Sequence, residues 1–223
     1  MYKVSDDFLA QSKKSHLFLA RFNVYDNDNR VFTLDGVVDG GVSSSMDDAI
    51  RRDFSATVVI TSDFTIEEAD DLLQPAGTEL RPEVGFAIAG EDEYIPQGVY
   101  EVERYTASET DNGIIIDLHG YDRAYTAQKP TLKPYSVRGG TAGGQALADL
   151  VQSMTPRANF QGETSWTAPS LFFPADTDRW AEAQKLANSF GTEIGYDLDG
   201  NCIMASIEQA MVSIPAWRFV EGE

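Results

Sequence analysis

The sequence predicts an α+β protein, mainly β, in which a barrel-like β domain is followed by a smaller α+β domain. Three observations predict it. Period-two alternation dominates the first part of the 223-residue chain. A proline-bearing stretch, Lys129–Pro134, then interrupts the pattern, giving domains at 1–128 and 129–223. Beyond it, Thr177–Met204 reads as helix, strand, tight turn and strand.

The elements follow in order. Ser5 can cap a short helix whose first turn holds Asp6 and Asp7, with Phe8 and Leu9 docking it. In Leu17–Tyr25, Phe18, Ala20, Phe22 and Val24 share one face. Asp26-Asn27-Asp28-Asn29 is a turn and Val31–Leu34 the return strand. Val37–Val42 is a strand weakened by its glycines, and Ser43-Ser44-Ser45 reads as a mobile loop. From Arg52, Phe54, Ala56, Val58 and Ile60 alternate against Asp53, Ser55 and Thr57. Thr65-Ile66-Glu67-Glu68 has the form of a capping box. Thr78–Ala89 is one or two strands, with Pro82 marking an edge or a break, and Glu91-Asp92-Glu93 reads as a solvated loop. Val99–Ser108 and Ile114–Tyr121 form a long hairpin about Asp111-Asn112-Gly113.

In the second part Thr141 is placed to cap a helix with Leu147, Leu150, Val151 and Met154 on its apolar face, stopped by Pro156. A loop-rich stretch with Trp166, Pro169 and Pro174 follows. Asp176 or Thr177 caps the next helix, whose stripe is Trp180, Ala183, Leu186, Ala187 and Phe190, and Gly191 ends it. Trp180, Leu186 and Phe190 are the expected second-domain core. Ile194, Tyr196 and Leu198 alternate into Asp199-Gly200, a type I′ turn signal, and Ile203 returns. Met211–Val220 is a final strand-like segment.

Composition restricts the chemistry. Lys+Arg is 17 against Asp+Glu 36, a net charge of −19, so nucleic acid is repelled rather than held. One cysteine, Cys202, leaves no intramolecular disulfide and no multi-cysteine zinc site. No apolar run reaches membrane-spanning length. The N-terminal MYKVSDDFLA lacks the apolar centre of a signal peptide, so synthesis in the cytoplasm is expected.

Catalytic signatures are missing. His16 and His119 stand apart in sequence, without metal-ligand spacing. Gly139–Gly144 lacks the lysine of a phosphate-binding loop and reads as a glycine-rich helix entry. Asp26–Asn29 fails as a calcium loop because Arg30 and Val31 stand where an oxygen ligand and a glycine are needed, and Asp197–Gly200 reads as a turn. No catalytic, cofactor-binding or metal residues are assigned, and no cofactor is expected.

Taken together, several short segments carry a resemblance. They are Ser5–Leu9, Arg51-Arg52 opening a strand, Asp71-Leu72-Leu73 leading to Pro75 and Gly77–Leu80, Gly98-Val99-Tyr100, Gly120–Ala124, Pro134–Val137 and Trp180–Gly200. In this order they resemble the minor tail or tail-hub proteins of phages that infect actinobacteria, over nearly the whole chain. The resemblance implies a non-enzymatic hub ring, commonly trimeric, whose barrel-like domains continue the tail tube at the distal end of the virion. Its implied partners are copies of itself, the distal tail or tail tube protein, the tape measure protein and the tip or spike protein, with DNA passing without specific binding. The acid excess then suggests a repulsive lumen wall, with Asp26, Asp28, Asp47 and Asp48 as lumen-facing candidates. Two other classes stay open. One is a carbohydrate- or protein-binding module using Trp166 and Trp217; the other is an acidic hydrolase.

Overall fold

The computed structural model describes residues 3–206 except 15, 16, 27, 28, 46, 47, 62–64, 76, 89, 90, 112, 131, 163 and 164. The expected Met211–Val220 strand, Trp217, His16, Asp28 and Asp47 therefore lie outside the described residues. The class is α+β and mainly β. The chain forms two compact units, Met1–Thr126 with Tyr196–Gly200, and Ala127–Gly195 with the return strand from Asn201.

The first unit is built on eight strands: β1 Phe18–Asp26, β2 Asn29–Leu34, β3 Val37–Ser44, β4 Arg52–Ile60, β5 Thr78–Ala87, β6 Asp92–Pro96, β7 Tyr100–Thr110 and β8 Gly113–Asp122. Their order is β2-β1-β5-β7-β8-β4-β3, with β6 also paired to β5. Among the described residues β2 and β3 remain edges, so the expected barrel is an open sheet. Alternation decides its faces. Phe22, Val24, Leu34, Phe54, Ala56, Val58, Leu80, Tyr100, Val102, Ile114, Ile116 and Leu118 form one buried cluster. Phe54 sits at its centre, 5.6 Å from Phe22 and 5.1 Å from Tyr100 between ring centroids. Gly120 makes room for it: a Cβ there would stand 2.5 Å from the Phe54 ring and 2.3 Å from the Glu101 carbonyl oxygen.

Pro82 falls where β5 changes partners. Glu79 and Leu80 pair with β7, whereas Glu83–Ala87 pair with β6. The Pro82 carbonyl accepts from Gln97 N–H at 2.8 Å, so its own missing N–H faces the fork between β6 and β7. A proline is thus tolerated inside a sheet because that step has no ladder bond to lose. Strand β6 corrects the loop expected at Glu91-Asp92-Glu93: Asp92 and Glu93 pair with Ala87 and Phe86. Ser43 and Ser44 likewise belong to β3 rather than to a mobile loop, and the Ser43 hydroxyl donates to Asp53.

Two short helices close the first unit. In α1, Asp6–Gln11, the Ser5 hydroxyl accepts from Phe8 N–H, and Ser5 itself donates to the Glu93 carboxylate. Phe8 is buried against Phe86 at 4.6 Å. In α2, Ile66–Leu72, Thr65 and Glu68 form the expected reciprocal capping box. Helix α3, Ala124–Gln128, follows β8 directly.

The second unit holds α4 Gly143–Met154, α5 Arg179–Asn188, and the short strands β9 Tyr135–Val137, β10 Phe160–Gln161, β11 Leu171–Phe173, β12 Thr192–Tyr196 and β13 Cys202–Ser206. β9 pairs with β11, and β10-β13-β12 form a second small sheet. Leu147, Leu150, Val151, Trp180, Ala183, Leu186, Ala187, Ile194 and Cys202 are buried.

Three expected caps or turns are corrected. Thr141 does not cap α4: Ala142 holds the N-cap without a side-chain bond, and the Thr141 hydroxyl donates back to the Arg138 carbonyl. Asp178, rather than Asp176 or Thr177, caps α5 by accepting from Ala181 N–H at 2.9 Å. At Asp199-Gly200 only the glycine has positive φ, 75°, so the turn is not type I′. Instead Gly200 N–H closes on the Asp197 carbonyl while the Asp197 carboxylate accepts from Asp199 N–H.

Phe190 is also corrected. It is 40% exposed, beyond the end of α5, and stacks on Trp166 with centroids 4.0 Å apart. That indole also lies on Gly143, where a Cβ would meet it at 2.4 Å. Trp166 is therefore a half-buried filler of a slot that a glycine opens.

Candidate functional site

The apolar residues of the eight-stranded sheet occupy one face, so the residues between them carry whatever the opposite face presents. Register turns this into geometry. Tyr25, Glu79, Glu101, Tyr121, Asp53 and Ser43 are successive cross-strand partners, which forms a continuous row on the polar face. Neighbouring rows add Arg21 opposite Glu83, Arg104 opposite His119, and Thr106 opposite Asp117, which in turn faces Thr57 and, beyond it, Asp39. This face thus carries Asp39, Asp53, Glu79, Glu83, Glu101 and Asp117 against Arg21, Arg30, Arg81 and Arg104, with Arg123 bonded to Glu79.

Local bonds hold these acids in place. Glu83 pairs with Arg21 at 2.6 Å. Glu103, the extra residue at a bulge in β7, reaches His119 Nδ1 at 2.8 Å. The hydroxyls of Thr57 and Thr126 donate to Asp117 and Glu101 respectively. Glu79 and Glu101 stand directly opposite each other, a repulsive cross-strand arrangement. It is offset because Glu79 is the buried member, 1% exposed, with Arg123 N–H groups donating to it at 2.9 and 2.7 Å. Arg123 also donates to the Gly200 carbonyl at 2.7 Å.

Asp122, on the core face beside this pair, is buried, and its carboxyl is pushed up to about 6. Desolvation is the main cause; the N–H groups of Ala124, Arg52 and Arg51 and the Arg52 charge pull the other way.

Of the sequence-assigned acids, Asp26 ends β1 and Asp48 lies in the connection from β3 to β4, both exposed at the same end of the sheet. Asp26 lines a cleft of about 360 Å³ with Asp71, Leu72, Gln74 and Thr78. The acids of the strands themselves were overlooked. Their signal was the alternation that identified the core, read for its polar positions. Among the described residues, no group of three or more His, Cys, Asp or Glu is placed to hold a metal, and no helix is long and apolar enough to cross a membrane.

A second cleft, of about 290 Å³, lies between β3 and the β1–β5 pair, lined by Phe18, Phe22, Val37, Val42, Pro82 and Val84 among others. Phe18 and Val42 are exposed beside it, 59% and 39%. Among the described residues β3 is paired along one side, so it is an edge at which another strand could add.

Solved structures share this architecture. A tail protein from Neisseria meningitidis MC58 matches 84% of this chain at a TM-score of 0.54 and 13% identity. The 43 kDa tail protein of prophage MuSo2 from Shewanella oneidensis matches 85% at 0.52 and 14%. The chain shares its fold with these two tail proteins. A chain of a lidded Francisella PdpA–VgrG complex is also similar, over 91% of this chain at 0.56 and 9% identity. The chain spans about half the length of the two tail proteins, 51% and 53%, and 31% of the Francisella chain. No protein-family model and no curated protein matches the sequence.

Proposed function

We propose that this chain is a structural component of a phage tail, the tail hub at its distal end, and not an enzyme. Copies of the chain form a homotrimeric ring that continues the tail tube and joins the distal tail protein to the tip. The tape measure protein and then DNA pass through its lumen. The tail-protein fold supports the structural role, and the acid-bearing polar face of the sheet is the observation that supports the lumen. Three chains would bring 3 × −19 = −57 charges to the ring. A fixed negative wall repels a polyanion and leaves it no adhesive site. In this reading Asp53 and Asp117 on the strands take the part first given to the loop acids Asp26, Asp28, Asp47 and Asp48.

Imaging of purified assemblies, with mass measurement, tests the position and the symmetry. A closed threefold ring with Asp53 and Asp117 lining the channel is expected. A ring that turns this face outward or into a subunit contact would refute the lumen assignment. A chain that stays monomeric alone and with its distal tail and tip partners would refute the hub.

A further inference from the structure

Arg179 is the first residue of α5, a position where the helix dipole disfavours a cation. It is nonetheless 4% exposed. Its Nη1 donates to the Ser153 hydroxyl at 3.2 Å, its Nη2 donates to the Lys133 carbonyl, and its Cζ stands 5.3 Å from the Tyr135 ring centroid. Its Nε is buried without a partner. None of the ion pairs among the described residues includes it. Neither Asp178, the residue before it, nor Asp149, whose charge also acts on Tyr135, bonds to the guanidinium. Asp178 accepts from Ala181 N–H as the helix cap, and Asp149 accepts from Gln145 at 2.6 Å. Among the described residues this guanidinium is bonded only to neutral groups, a state that a directly bonded counter-ion stabilises.

The space for one is present. Leu132, Lys133, Pro134, Tyr135, Ser153 and Arg179 line a cleft of about 460 Å³. Its rim is open, with Leu132 90% exposed and Lys133 also exposed. Burial and Asp149 push the Tyr135 phenol up while Arg179 pulls it down, so Tyr135 enters the cleft as a neutral donor.

We propose that this cleft is a carboxylate-binding site, in which Arg179, steadied by the Ser153 hydroxyl that itself donates to the Leu150 carbonyl, receives an acidic side chain or a free C-terminus of a partner protein and Lys133 closes over it. A planar guanidinium fork fits a carboxylate. A single negative charge matches a single buried cation, whereas a phosphate dianion would meet a chain of net charge −19.

The test is titration of the full chain, read by NMR at the Arg179 Nε–H and the Tyr135 ring. The probes are N-acetyl-aspartyl-amide, N-acetylglycine and inorganic phosphate. A saturable shift with either carboxylate is expected, and the tighter of the two identifies a side chain or a C-terminus as the source. Lys133→Glu, on the exposed rim, supplies a competing carboxylate and should weaken probe binding about tenfold or more without unfolding the chain. Arg179→Gln should abolish the Tyr135 response. No saturable shift up to the solubility limit, tighter binding of phosphate, or unchanged binding in Lys133→Glu would each overturn the site.

Discussion

The two units each bury an arginine, and they treat it differently. Arg123 in the first unit is 3% exposed and has Glu79, itself 1% exposed, as a salt-bridge partner, with the Gly200 carbonyl taking a further N–H. Arg179 in the second unit is 4% exposed and, among the described residues, bonds to a hydroxyl and a carbonyl and faces an aromatic ring. The first charge is closed within the fold and acts as structure. The second is open to a cleft and can answer to something outside it. Burial alone does not distinguish these roles; the presence of a counter-charge does.

The largest expected effect lies on the closed pair. Glu79→Ala leaves Arg123 buried without its carboxylate and should cost about 3–5 kcal/mol. Chemical denaturation measures it, and a loss below about 1 kcal/mol would remove the distinction between the two arginines.

Next comes Asp122, a buried acid beside that pair. Its folded-state value of about 6 lies above the ordinary value of 3.8, so the folded chain holds this proton more tightly than the unfolded one. The penalty for its ionised form is fully present above pH 6 and is relieved as pH falls from 6 towards 4, by about 3 kcal/mol in all. Comparison with Asp122→Asn across this window isolates the group. The stability difference should move in favour of the original chain on acidification, and a flat difference would show that the carboxylate titrates normally.

The smallest effect is expected at the open charge. Arg179→Met removes an unpaired buried cation and replaces it with an apolar chain of similar length. The loss should be about 1 kcal/mol, from the bonds to Ser153 and Lys133. A loss equal to that of Glu79→Ala would make Arg179 a structural residue like Arg123.

Much of the first unit was legible in sequence because its signals are local. The Phe54, Ala56, Val58 and Ile60 alternation located β4, and Thr65 with Glu68 marked the start of α2. What failed depended on distant partners. Asp92 and Glu93 read as loop because β6 is defined by pairing with β5, and Glu93 is further held by Ser5. Phe190 fits the apolar stripe of α5, yet the helix ends before it and its ring stacks on Trp166 instead. The polar sheet face was half legible. Alternation separates Asp53 and Asp117 from the core, but only register places Glu79 opposite Glu101. The surroundings of Arg179 were not legible at all, since which groups bond to it among the described residues is a property of three dimensions.

Pro82 also bears on how the sheet avoids error. A one-residue slip of β5 would turn its glutamates inward and its apolar residues out. Pro82 has no N–H to offer, so a slipped ladder that brought a strand across the fork would lose a bond at that step. The native register places the missing donor at the fork between β6 and β7, where no described strand pairs with it. One imino acid thus disfavours the slip that would turn the acids of β5 toward the core.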